Sequence, residues 1–157
     1  MLGAERSERR LRLLKILLSS LVSLAAFGAM AQAQTGRVVN AKEANGTYRY
    51  GHNEIKILAL GHNKLRVSFD LTYEYKSPMG PQANEGSADG EATIENDVAV
   101  FHSSEFNTCT ITIKFLKGNR IRVTQNRDQE CGFGNRVWAD GTYAKRSNKA
   151  PSFDDRR

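Results

Sequence analysis

The chain has 157 residues, 23 basic against 17 acidic side chains, a formal charge of +6, three histidines and two cysteines. The charge is no signal for a nucleic-acid partner: five basic and two acidic residues fall within the first 33 positions, and the remainder carries 18 against 15, a net +3. The remaining ~120 residues suit one domain, for which a single hydrophobic core is feasible.

Residues 1–33 read as a cleaved signal peptide. A basic stretch, MLGAERSERRLR, precedes an apolar run that is uncharged from Ile16 and ends in the small-residue patterns Ala29-Met30-Ala31 and Ala31-Gln32-Ala33. Ile16 to Ala31 is shorter than the ~20 residues of a membrane-spanning helix, so no stable span is expected after cleavage. No cysteine follows the apolar run to carry a lipid anchor. The protein is therefore expected to be periplasmic or secreted, with residues 34–45 as a flexible lead-in.

From Gly46 onward, period two dominates. Gly46-Thr47-Tyr48 opens the first predicted strand, and Ile55 to Leu60 returns through Gly61-His62-Asn63 into the longest one. There Leu65, Val67, Phe69, Leu71, Tyr73 and Tyr75 alternate with Arg66, Ser68, Asp70, Thr72, Glu74 and Lys76, which places the apolar set on one face. Ser77 to Gly90, SPMGPQANEGSADG, is rich in Gly and Pro and reads as a long loop. Ala92 to Ile94 returns through Glu95-Asn96-Asp97 into Val98 to Phe101. Cys109, Ile111, Ile113 and Phe115 share a face, and a Lys117-Gly118-Asn119 turn leads to Ile121 and Val123. Gly141-Thr142-Tyr143 begins the last strand, and residues 146–157 read as a disordered tail.

These segments make about eight antiparallel strands and no convincing helix. The predicted fold is an all-β meander over residues 46–145 that closes into an approximately eight-stranded barrel, since closure removes aggregation-prone edges; a β-sandwich is the alternative. In an oxidising compartment two cysteines predict one disulfide, Cys109 to Cys131. The loop it closes corresponds to a stabilisation of about 3 kcal/mol.

The GTY strand at Gly46, the Cys-x-Ile-x-Ile-x-Phe strand from Cys109, the CGFG run from Cys131 and DGTY from Asp140 resemble small exported bacterial β-barrel proteins. They also resemble, more broadly, the disulfide-stapled barrels of periplasmic lysozyme inhibitors. The resemblance implies the fold and compartment. The Ser-Gly-x-x-Tyr loop of inhibitors of C-type lysozymes is missing, so no inhibitory residue is carried over.

Catalytic frames are absent. His52 and His62 lie in repeated Gly-His-Asn triplets, but a strand over residues 54–60 separates them by on the order of 20 Å, too far to share a metal ion. Both triplets suit turns, and His102 has no carboxylate cluster in ligand-like spacing. Ser103-Ser104-Glu105 sits in no nucleophile elbow. No enzyme activity, cofactor or metal is predicted.

Binding chemistry is sought in loops. Phe133, Asn135, Arg136 and Trp138 lie on a segment pinned by Cys131, where an aromatic can anchor a partner or fold back to plug the barrel. Met79, Glu85 and Asp89 lie in the Gly- and Pro-rich stretch, as a recognition surface or as slack between strands. Lys56, Arg66, Lys114 and Arg122 are interleaved with Glu54, Asp70 and Glu74, the pattern of a solvated face. The expected role is a non-enzymatic binding or envelope accessory protein, whose partner is an envelope protein, polysaccharide or hydrolase. Inhibition of lysozyme or another envelope hydrolase, and carriage of a small apolar ligand inside the barrel, are the alternatives.

Overall fold

Alternating patterns become eight strands in the computed structural model, which describes residues 37–106 and 108–153; the expected signal peptide, residues 1–33, and the last four residues lie outside them. The strands are β1 (Gly46–Tyr50), β2 (Asn53–Gly61), β3 (Lys64–Ser77), β4 (Gly80–Glu95), β5 (Val98–Ser103), β6 (Thr110–Leu116), β7 (Arg120–Gln125) and β8 (Gly141–Ser147). Each pairs antiparallel with the next, and β1 pairs with β8, so the meander closes into a barrel. Short connections with left-handed residues, such as His62 and Asn63 between β2 and β3, hold the register.

Inward positions follow the period of two. Ile55 and Ile57 on β2, Leu65, Val67, Phe69 and Leu71 on β3, Phe101 on β5, and Ile111, Ile113 and Phe115 on β6 are buried, with Tyr48 and Tyr143. The interior is thus filled by side chains, as expected for eight strands. Phe69 and Phe101 meet edge to face with ring centroids 4.9 Å apart.

Three departures from the sequence reading shape the surface. First, Ser77 to Gly90 is not a loop. β3 and β4 pair without interruption from Lys64↔Thr93 to Ser77↔Gly80, around the tight turn at Pro78 and Met79. Gly and Ala serve here as inward-facing strand residues. A Cβ at Gly86 would lie 2.8 Å from Phe133 Cβ, and one at Gly90 would lie 2.2 Å from the His102 carbonyl oxygen and 2.9 Å from Phe101 Cε2, so glycines on β4 make room for a ring at Gly86 and for the β5 backbone as well as a ring at Gly90.

Second, residues 34–45 include an ordered plug. Helix α1 (Ala41–Ala44) is capped by Asn40, whose side-chain oxygen accepts from the Glu43 N–H. The Tyr48 hydroxyl donates to the Ala44 carbonyl at 2.9 Å, and the Lys145 ammonium donates to the Asn45 carbonyl at 2.9 Å, satisfying groups that burial would otherwise leave unpaired. Third, β8 continues to Ser147, and the chain beyond it is described to Phe153, whose ring lies 4.4 Å from the Arg66 guanidinium carbon. The cation–π contact gives part of the expected disordered tail a defined seat.

Candidate binding surfaces

The disulfide is present between Cys109, which precedes β6, and Cys131, with Cα atoms 4.7 Å apart. It fastens residues 126–140, which connect β7 to β8, over one end of the barrel. Two further anchors hold this connection. Buried Gln125 accepts from the Ala139 N–H through its side-chain oxygen at 3.0 Å, and the Tyr143 hydroxyl donates to the Ala139 carbonyl at 3.0 Å.

Above this cap, β3 and β4 outrun their neighbours. β2 pairs with β3 only as far as Glu54↔Asp70, and β5 pairs with β4 only from Gly90 onward. Residues 71–77 and 80–86 therefore form a two-stranded arm projecting beyond the barrel wall. The closing connection buttresses it: Gly134 N–H donates to the Glu85 carbonyl at 3.1 Å, and the Asn84 amide donates to the Asn135 carbonyl at 2.7 Å. Phe133 fits between the arm and the core, its centroid 6.4 Å from that of Phe69.

The candidate residues consequently separate. Phe133 is partly buried and plugs the barrel end, with Asn135 and the Glu85 backbone bound beside it. Trp138 does not join that plug; it is 38% exposed, with the Arg127 guanidinium 4.8 Å from its ring centre. Arg136 is exposed in a left-handed conformation, with φ 63°. Met79 stands at the tip of the arm, 88% exposed. Asp89 lies elsewhere, on the outer wall, where its carboxylate is 3.4 Å from Arg66 Nε.

That wall carries a groove of about 420 Å³ along β2, β3 and β4. Register explains its composition. Glu54 lies opposite Asp70, Asp70 opposite Ser87, Lys56 opposite Ser68 and Ser68 opposite Asp89, so outward-facing side chains from three strands form two polar rows. Ser104 and Glu105 border it after β5, and Phe153 supplies an aromatic wall. Glu54 is paired with Arg49 at 2.5 Å and lies 3.9 Å from Lys56. Among the described residues, Asp70 and Glu105 have no ion-pair partner. Four carboxylates against two cations make the groove acidic within a protein of positive net charge.

No protein-family model, curated protein or solved structure matches this chain. The surfaces are accordingly read from their own chemistry.

The histidines stand apart, as expected: His52 and His62 lie in the turns at opposite ends of β2, and His102 sits opposite Glu91 on the outer face of β5. Among the described residues, no group of three or more His, Cys, Asp or Glu side chains is placed to hold a metal ion, and no helix is long and apolar enough to cross a membrane. The groove itself was missed as a unit. Its basic and acidic members were legible as an ordinary polar face, but joining three strands and the tail required the register. The strand character of 80–90 had one local sign, the small residues Gly86, Ala88, Gly90 and Ala92 at intervals of two.

Proposed function

We propose that this is an exported, non-catalytic binding protein of the cell envelope that holds a neutral polysaccharide in the groove of β2, β3 and β4. The observation that carries the reading is the groove's combination of hydroxyls, carboxylates and one aromatic ring in a concavity on a rigid sheet. Sugar hydroxyls both donate and accept hydrogen bonds. Asp70 and Glu105 supply acceptors, Ser68 and Ser87 supply groups of either kind, and the Phe153 ring offers an apolar surface to sugar C–H groups. The acidic balance disfavours an anionic polymer. The filled interior favours a surface site over an apolar ligand carried within the barrel. Export is supported by the leader and by the oxidised cysteine pair.

Affinity electrophoresis of the purified oxidised protein through gels containing neutral envelope polysaccharides tests this reading. At least one polymer should retard migration, and Asp70→Asn with Ser87→Ala should weaken the retardation by about tenfold, the loss of one or two hydrogen bonds, without moving the melting temperature. Unretarded migration in every polymer would reject the proposal. Hydrolysis of the polymer, abolished by a point substitution, would reject its non-catalytic character. Loss of lytic activity when several lysozymes are titrated with micromolar protein would instead assign it as an inhibitor.

A further inference from the structure

Among the described residues, one edge of the arm is covered by no strand. Alternate residues of a β-strand point their N–H and C=O groups to opposite sides. Thr72 N–H donates to the Asn53 side-chain oxygen at 2.8 Å, so Thr72, Glu74 and Lys76 face the β2 side while Leu71, Tyr73 and Tyr75 face β4. β2 begins only at Asn53 and has no residue beside Glu74 or Lys76. Their four backbone polar groups therefore form a short template for another strand.

The side chains on this edge are self-complementary. Glu74 and Lys76 are exposed and two residues apart on one face, and Tyr75 lies between them on the other, stacked with Tyr73 at a centroid separation of 6.1 Å. We propose that two copies of this chain associate by antiparallel pairing of these edges, with Tyr75 on the two-fold axis. Each Glu74 then lies opposite the partner's Lys76, giving four main-chain hydrogen bonds and two cross-strand ion pairs. The two Tyr75 residues face each other in the closer, non-hydrogen-bonded type of pair, on the opposite face of the extended sheet.

Among the registers that keep these hydrogen bonds in phase, this one sets unlike charges opposite each other. Shifting the partner strand toward the barrel puts Glu74 opposite Glu74 and drives its end into the place held by Asn53, which lies at the level of Leu71. Shifting it outward puts Lys76 opposite Lys76, and it sets Glu74 against Pro78, which has no N–H to donate. Among the described residues, the ion-pair candidate beside Glu74 is the imidazole of His52, with Nε2 at 3.5 Å, and both side chains are largely exposed. That contact is easily exchanged for a lysine.

Sedimentation equilibrium of the oxidised protein at concentrations up to the millimolar range tests the proposal, since a contact this short gives a weak dimer. Self-association should appear and should weaken at high salt. Glu74→Lys and Lys76→Glu should each weaken it by at least about tenfold, because like charges then face each other twice. The double variant Glu74→Lys, Lys76→Glu restores complementarity and should recover association. Separately, Tyr75→Cys should form a disulfide between two copies on mild oxidation. Near-ultraviolet circular dichroism confirms that each variant keeps its fold. A protein that is monomeric throughout, single reversals that associate like the parent, or a double variant that stays monomeric while folded would overturn the proposal.

Discussion

At the scale of single residues, two buried tyrosines and a set of small residues have consequences that follow from packing. Burial raises the Tyr48 and Tyr143 hydroxyls far above the ordinary tyrosine range, with the nearby carboxylates of Glu43 and Asp140 adding to the shift at each. Their folded-state values exceed the unfolded one, so the folded chain keeps protons that the unfolded chain releases above about pH 10. The associated stability is fully present below that pH and falls as pH rises above it. Urea midpoints measured between pH 8 and 12 should decline beyond pH 10, and Tyr48→Phe should flatten the decline while lowering the midpoint at pH 8, because its hydrogen bonds to α1 are lost. Gly86 gives a second test. Gly86→Ala places a methyl group against Phe133 and should destabilise by about 1–3 kcal/mol, the usual cost of overpacking. Adding Phe133→Ala should leave the methyl group tolerated, so a double-mutant cycle with no coupling would refute the contact.

Among the elements, the disulfide acts as a clasp on the connection from β7 to β8. It joins Cys109, at the start of β6, to a segment that also seals the barrel through Phe133 and supports the arm at Glu85 and Asn84. The long β3 is secured by pairing to β2 along its barrel half and to β4 throughout. Reduction should therefore raise amide exchange in residues 126–140 and in the arm before it does so in residues 64–70. Hydrogen exchange measured by mass spectrometry, with and without reductant, checks this order; simultaneous opening of β3 would count against it. The arm explains why a Gly- and Pro-rich stretch escaped recognition as a strand. Gly86 is an inward position at which the Phe133 ring takes up the space of a side chain, Gly90 is one at which the His102 carbonyl and the Phe101 ring do so, and Pro81 lies on an edge where no N–H is required.

For the whole molecule, the division of surfaces follows from the solid barrel. Because the interior is occupied, the two surfaces proposed for recognition, the outer groove and the projecting arm, lie outside the barrel at different places on one sheet. Much of this fold was legible: the number of strands, the turns other than the one at Pro78 and Met79, and the Cys109–Cys131 bond correspond to local patterns or to simple cysteine arithmetic, whereas most of β4 read as a loop. The candidate site was legible only in fragments. Asp89 belongs to the groove, Met79 to the arm tip, and Phe133 to the plug, although Met79 and Asp89 were read as neighbours in one loop. Residue order alone determined strand number and face, because alternation and turn conformation depend on near neighbours in the chain. Only the tertiary structure decided that α1 seals one barrel end, that β3 and β4 overreach their partners, and that Phe153 walls the groove. Those outcomes depend on which distant groups fill space and satisfy hydrogen bonds once the sheet has closed.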